Sequence, residues 1–201
     1  MKIISKIAVL ITMCLCVSCR LIQITETDGI TGATQPYTQN KIVLPPPHKD
    51  YEVLGVQEGL KNFTVRYDDQ LYRGGELHAN SAALTLYDWN VKTIISIAPS
   101  EYERNFCREH GFLLVEIPFD KITGPTATDL KYFKDTVRTG SGPFYMHCRG
   151  GSHRGGVLGV AYRVDILGWS YEKSLVEFGR LGGDLRGDHD MLEAIREAKH
   201  E

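Results

Sequence analysis

Residues 144–160 read FYMHCRGGSHRGGVLGV and combine three local patterns in a fixed order. Phe144–His147 predicts a short buried strand, residues 148–153 form a glycine-rich loop, and a helix is predicted to follow at 155–167. The first N–H groups of a helix have no intrahelical partner, so a loop that curls in front of them can bind an anion. The stretch therefore predicts an anion-binding loop between a strand and a helix.

Cys148 and Arg154 bound this loop, with five residues between them. A thiol surrounded by backbone N–H groups and next to a guanidinium ionises more easily than a free cysteine, which makes Cys148 a candidate nucleophile. The guanidinium of Arg154 can bind two oxygens of a phosphoryl group at once. Gly150 and Gly151 are expected to supply the unusual backbone angles of the loop. The competing interpretation is a buried structural cysteine beside a turn. The other residues predicted to form the phosphate-binding loop are His147, Arg149, Gly150, Gly151, Ser152, His153 and Gly155.

Strand-like and helix-like segments alternate through the rest of the chain. A β-branched run at Val91–Ile97 predicts a buried strand, and an apolar run at Phe112–Ile117 predicts another. This alternation predicts a single α/β domain of three layers, with a mainly parallel central sheet flanked by helices. Further helices are predicted near residues 81–89, 101–110, 129–138, 171–180 and 190–199, and further strands near 63–67 and 71–73.

Length and composition limit the other possibilities. A chain of 201 residues is long enough for one well-buried domain but not for two ordinary ones. The formal net charge of -2 gives no general attraction to nucleic acid, so an anionic substrate must be captured locally. Three of the five cysteines (Cys14, Cys16, Cys19, Cys107 and Cys148) lie in the first twenty residues, which is not a disulfide framework. Cys107 is expected to be a core residue.

The N-terminus has the layout of a secretory signal. Lys2 and Lys6 precede an apolar run that ends in small residues at Cys19, so residues 1–19 are assigned to the signal. The end of this segment resembles a bacterial lipobox, in which Cys19 would carry lipid, although Cys16 stands where leucine is usual. An ordinary cleaved signal or an uncleaved anchor is the alternative. The expected location is the cell envelope, lipid-anchored and extracytoplasmic, or else secreted or periplasmic.

The segment at residues 20–60 is rich in Thr, Gly, Gln and Pro and is predicted to be a flexible linker. The folded domain is accordingly predicted at residues 61–201. A linker of this length would hold that domain away from a membrane surface.

The spacing His147-Cys148-x5-Arg154 resembles the signature of protein tyrosine and dual-specificity phosphatases. Leu71–Gly75, Ile117-Pro118 and the Gly168-Trp169-Ser170 turn extend the resemblance over about residues 60–200. Within the loop, Gly151 and His153-Arg154 are similar to the atypical dual-specificity group. The resemblance implies the fold of that family, a phosphocysteine intermediate on Cys148 and no metal or other cofactor.

The resemblance also implies a general acid on a loop roughly thirty residues before the cysteine. Asp120 follows the predicted strand ending at Ile117 and is the preferred candidate. Asp129 is the competitor, but it stands at the start of a predicted helix, where a carboxylate has a structural reason to be. Geometry must decide between the two carboxylates.

Gly155 departs from the family pattern, which usually has Ser or Thr directly after the arginine. That hydroxyl helps the cysteine leave as thiolate, so hydrolysis of the intermediate is expected to be slow here. His147 and His153 flank the loop, but a metal site is not expected because the cysteine is needed free. Residues 188–190, read as Asp-His-Asp, are interpreted as helix capping.

The function implied is phosphate-monoester hydrolysis by a protein tyrosine or dual-specificity phosphatase. An extracytoplasmic inositol-polyphosphate phosphatase is the first alternative, because Arg149 adds positive charge beside the loop. A phosphate-binding pseudophosphatase is the second, because of Gly155. The expected partners are a phosphorylated protein or an inositol phosphate, and a membrane through the lipid anchor, but no nucleic acid. The protein is expected to be a monomer.

Overall fold

The computed structural model describes residues 43–198. The strands are β1 (Glu52–Val56), β2 (Phe63–Arg66), β3 (Leu71–Gly74), β4 (Thr93–Ser96), β5 (Leu113–Glu116) and β6 (Phe144–His147). The helices are α1 (Ala82–Asp88), α2 (Glu101–His110), α3 (Ala127–Thr139), α4 (Arg154–Ala161), α5 (Tyr171–Arg180) and α6 (His189–Ala198). A π-helical turn, Tyr162–Ile166, continues α4 and completes the helix predicted at 155–167.

The six strands form one sheet in the order β1-β2-β3-β6-β4-β5. The neighbours β3, β6, β4 and β5 run parallel, whereas β1, β2 and β3 pair antiparallel. The predicted α/β fold with a mainly parallel sheet is therefore confirmed, with antiparallel strands added at one edge.

Side chains of the central strands alternate between two cores because successive residues of a strand point to opposite faces. Ile95 and Met146 pack on the face covered by α3, α4, α5 and α6. Ile94 and Tyr145 pack on the other face, which α1 and α2 cover. The three layers follow from this arrangement, and the parallel strands are buried on both sides.

The described residues include part of the segment that the sequence predicts to be a linker. Strand β1 lies wholly within residues 20–60, and Tyr51 before it is buried and donates a hydrogen bond to the carbonyl oxygen of Pro46 at 3.0 Å. The predicted boundary between linker and folded domain, at residues 60 and 61, is therefore wrong, because β1 is already part of the folded domain. The predicted signal and Cys19 lie outside the described residues. Within residues 43–198, no helix has the length and apolar character needed to cross a membrane.

The loops that follow the four parallel strands meet along one edge of the sheet, the edge formed by the carboxyl ends of these strands, because parallel strands all end in the same direction. They are the segments directly after β3, β4, β5 and β6. This convergence brings together parts of the chain as far apart as Gly75 and Cys148, and it positions the site.

Candidate active site

Cys148 lies directly after β6 at this edge and is 3% exposed. Its Sγ accepts a hydrogen bond from the backbone N–H of Gly151 at 3.2 Å. The loop thus points a backbone N–H group at the sulfur.

Gly151 is required by the geometry of the loop. Its φ is +82°, and a Cβ at this position would lie 2.6 Å from the carbonyl carbon and oxygen of Gly74. Both the left-handed backbone and the close approach of the chain after β3 exclude a side chain. The phosphate-binding loop is therefore pressed against the end of β3.

Gly150 does not have the role that the sequence suggested. Its φ does not lie in the left-handed region, and a Cβ at this position would have Asn62 Nδ2 as its nearest neighbour, at 3.7 Å. Its carbonyl oxygen accepts a hydrogen bond from Asn62 Nδ2 at 2.9 Å. The unusual angle in this part of the loop thus belongs to Gly151 and not to Gly150.

Arg154 is the first residue of α4, and its guanidinium contacts two neighbouring loops. Nη1 donates to the carbonyl oxygen of Phe119 at 3.1 Å and points toward that of Ile97 at 3.5 Å. These carbonyls follow β5 and β4, respectively. The arginine therefore connects the phosphate-binding loop to the segment that carries Asp120.

His147 is completely buried, and its Nε2 lies 2.5 Å from Glu103 Oε1. Glu103 is also buried, and its Oε2 accepts from the Ser96 hydroxyl at 2.7 Å. The imidazole before the nucleophile is thus fixed by a carboxylate from α2. Sequence reasoning missed Glu103, because an acidic residue in the first turn of a helix is already favoured by the helix dipole.

Asp120 lies in the loop after β5, and its carboxylate turns into that loop. Oδ1 accepts from the N–H groups of Ile122 and Thr123 at 2.6 and 2.8 Å. The hydrogen bonds from Thr123 and Ile122 hold the pKa of Asp120 below its ordinary value, and the charge of Arg154 acts in the same direction. To act as a general acid, the Asp120 carboxylate must first leave this turn and become protonated.

Asp129 forms the expected helix cap. Its Oδ2 accepts from the Thr126 hydroxyl at 2.7 Å and from the Thr126 N–H at 2.9 Å, while the Thr126 hydroxyl accepts from the Asp129 N–H. This reciprocal capping box opens α3. Asp129 thus has the structural role that the sequence suggested, and the general-acid role of Asp120 stays a prediction.

The capping interpretation of residues 188–190 is wrong for Asp188. This residue is 1% exposed, and its Oδ2 lies 2.6 Å from Nδ1 of His153 in the phosphate-binding loop. His153 itself has a half-exposed side chain, and Arg149 is exposed. The loop therefore has positive charge at its surface and a buried carboxylate behind it.

Gly155 leaves space next to the sulfur. A Cβ at this position would lie 3.7 Å from Cys148 Sγ and 3.7 Å from Cys148 N, both ordinary van der Waals contacts. The backbone there is helical, so a side chain causes no strain. Ser152, which carries the hydroxyl of the phosphate-binding loop, lies against Gly182, since a Cβ at Gly182 would be 3.4 Å from Ser152 Oγ.

Cys107 is a residue of α2 and belongs to the core cluster on the face of the sheet opposite to Cys148. Burial raises the pKa of the Cys107 thiol to about 12, and the carboxylate of Glu103 adds to this effect. Cys107 therefore stays protonated at neutral pH, as expected for a core residue. The sheet separates the two thiols.

A protein-family model described as a DSP-PTPase phosphatase fused to NAD⁺ kinase matches residues 52–181. Among curated proteins, the dual specificity protein phosphatase TpbA of Pseudomonas aeruginosa (strain UCBPP-PA14) is 28% identical over 130 residues. That alignment covers 64% of this chain but 58% of TpbA, so the chain spans less than two thirds of its relative's length.

Two solved structures show the same architecture. P. aeruginosa TpbA in complex with pTyr superimposes with a TM-score of 0.60 at 21% identity, covering 72% of this chain and 88% of the TpbA chain in that structure. The catalytic core of the PP-IP phosphatase SIW14 from S. cerevisiae has a TM-score of 0.51 at 19% identity, covering 65% of this chain and 87% of the other. At these identities the likeness establishes the fold alone.

Proposed function

This chain belongs to the DSP-PTPase family of phosphatases, whose model matches residues 52–181, and we propose that it hydrolyses phosphate monoesters through a phosphocysteine on Cys148. The observation that carries the proposal is the loop itself. Its Gly151 N–H donates to the buried sulfur, and Arg154 opens the helix immediately behind it. A nucleophile, backbone donors and a guanidinium thus surround the place where a phosphoryl group would bind.

The chemistry has two steps. The Cys148 thiolate attacks phosphorus, a P–S bond forms, the ester P–O bond breaks, and Asp120 gives its proton to the leaving oxygen. Water then attacks the phosphocysteine, Asp120 takes the proton of that water, and sulfur leaves as thiolate. Arg154 binds equatorial oxygens in both transition states, where negative charge is spread over them.

The substrate class best supported is phosphorylated protein, with phosphotyrosine, phosphoserine or phosphothreonine as the reacting residue. The support is the family and the description of TpbA as a dual specificity protein phosphatase. The TpbA structure contains pTyr, which is a property of that protein.

Inositol polyphosphates are the second candidate substrates, because basic side chains lie beside the loop. Arg149, Lys121 and His153 expose their side chains at this edge. The structural neighbour SIW14 is described as a PP-IP phosphatase. Measuring kcat/KM for phosphopeptides and for inositol phosphates would rank the two classes. A protein that binds these ligands but shows no steady turnover of any aryl phosphate would instead be a pseudophosphatase.

Asp120→Asn is expected to slow hydrolysis of substrates with poor leaving groups by about a hundredfold, since only their leaving oxygen needs a proton. Activated aryl phosphates should be much less affected. The measurement is kcat/KM across a series of aryl phosphates. Asp129→Asn is the matched control, because it removes a helix-capping carboxylate from the first turn of α3. If Asp129→Asn shows the leaving-group dependence instead, the assignment of Asp120 is wrong.

Gly155→Thr is expected to raise the steady-state rate by roughly ten- to a hundredfold, because one charge-assisted hydrogen bond to the departing thiolate contributes about 1.5–3 kcal/mol. The space beside Sγ accommodates the added Cβ. Rapid mixing with an activated substrate should show a burst and a slow steady state in the native protein. Gly155→Ala is the control, because it adds Cβ without a hydroxyl. Absence of a native burst together with no gain from threonine contradicts the expectation.

We also propose that Cys19 carries a lipid that anchors the domain at a membrane. The support is the pattern of residues 1–19, with its basic start, apolar run and terminal cysteine. Cys19→Ser should move the protein from membrane fractions to the soluble fraction. Retention of this variant in the membrane fraction would favour an uncleaved hydrophobic anchor.

A further inference from the structure

Asp188 lies in the turn between α5 and α6 and contacts both loops of the site. Its side chain is fully buried. Oδ2 lies 2.6 Å from His153 Nδ1 and accepts from the Asp184 N–H at 3.2 Å. A carboxylate in such a position needs hydrogen bonds and a positive partner to offset the loss of water.

The other oxygen of Asp188 faces the loop that carries Asp120. Oδ1 is buried and has no hydrogen-bond partner among the described residues, and Lys121 Nζ lies 3.8 Å from it. This distance is that of an ion pair and is longer than a hydrogen bond. The ammonium group therefore supplies charge compensation, and the carboxylate draws Lys121 toward the site.

Asp120 is consequently held from both sides. Arg154 bonds the carbonyl oxygen of Phe119, the residue before it, and Asp188 pairs with Lys121, the residue after it. The loop also packs closely on α6, since a Cβ at Gly124 would lie 2.9 Å from the Cα of Met191. The general-acid loop thus depends on the α5–α6 turn for its position.

We propose that Asp188 is a positioning residue that couples the general-acid loop to the phosphate-binding loop, through Lys121 on one side and His153 on the other. It touches no reacting atom. It acts by fixing the backbone beside Asp120 through Lys121 and by holding His153, the residue directly before Arg154. This inference rests on the proposed phosphatase function.

The test is the leaving-group dependence of Asp188→Asn, which keeps the shape of the side chain and removes its charge. A misplacement of about 1 Å can cost up to a hundredfold in rate. We expect kcat/KM to fall about tenfold for phenyl phosphate, which has a poor leaving group, and about twofold for 2,4-dinitrophenyl phosphate, which has a good one. The dependence of kcat/KM on the leaving group then becomes steeper. Asp190→Asn, an exposed carboxylate two residues further along the chain, is the matched control and should leave the dependence unchanged.

Lys121→Met tests the coupling from the other side of the ion pair, at a side chain that is 55% exposed. It should show the same selective loss, and the double variant should lose no more than Asp188→Asn alone, since both remove one interaction. Circular dichroism establishes whether Asp188→Asn is folded. If it is not folded, the Lys121→Met result decides.

Equal losses for both substrates in Asp188→Asn, or no selective loss in Lys121→Met, would overturn the coupling role. The native protein is assayed first with the same substrates. Absence of native turnover would contradict the phosphatase function itself, whereas native turnover with an unchanged leaving-group dependence in the variants would contradict this inference alone.

Discussion

Replacing Cys148 by serine is expected to abolish turnover, with a fall on the order of a millionfold, while leaving the anion-binding loop intact. A serine hydroxyl does not ionise at neutral pH, so no nucleophile forms, but the side chain is nearly the same size. The backbone N–H groups and Arg154 should still bind a phosphate ion. Steady-state assays with an aryl phosphate measure the first effect, and calorimetric titration with inorganic phosphate measures the second.

Cys107→Ala is the matched control for this substitution. It removes the other described thiol, which packs on the opposite face of the sheet, and should retain turnover. Substantial activity in Cys148→Ser would show that sulfur is not the nucleophile. Loss of both turnover and phosphate binding in that variant would indicate a collapsed loop and leave the question to Cys148→Ala.

Arg154→Lys is expected to reduce kcat by about a thousandfold, since arginines that stabilise transferring phosphoryl groups contribute about 10³–10⁵ in rate. A lysine has a single charged nitrogen and forms no planar fork for two oxygens. In the free protein the guanidinium also donates to the Phe119 carbonyl, so the substitution loosens the loop before Asp120 as well.

Arg196→Lys is the control, because this arginine is on α6 and pairs with Glu193. It should have native activity. The decisive comparison is kcat for an activated aryl phosphate, which needs little help from the general acid. A loss confined to poor leaving groups in Arg154→Lys would show that the arginine mainly positions Asp120 and does not stabilise the phosphoryl group.

The central strand-loop-helix pattern could be predicted from the sequence because its signals are local. The apolar run of β6, the glycines and the helix start all lie within one stretch of chain. Strand β1 was missed for a local reason as well: Gly55, with a φ of +74°, lies where the pairing with β2 shifts register. A bulge of this kind interrupts the alternation by which strands are recognised.

The supporting carboxylates could not be predicted, because their roles depend on contacts between distant parts of the chain. Glu103 meets His147 across 44 positions, and Asp188 meets His153 across 35. In the sequence, each stands near a helix start, where capping or the dipole already accounts for an acidic residue. For Gly151 the unusual backbone angle was predicted, but the close approach of Gly74 could not be read from the sequence.

The placement of the two described thiols on opposite faces of the sheet determines how the enzyme would respond to peroxide. A peroxide converts the Cys148 thiolate to a sulfenic acid, which a neighbouring thiol would normally trap as a reversible disulfide. Cys107 is the other thiol within residues 43–198, and the sheet lies between them. Cys107 is therefore not placed to trap the Cys148 sulfenic acid, and unless another thiol does so, further oxidation leads to the irreversible sulfinic acid.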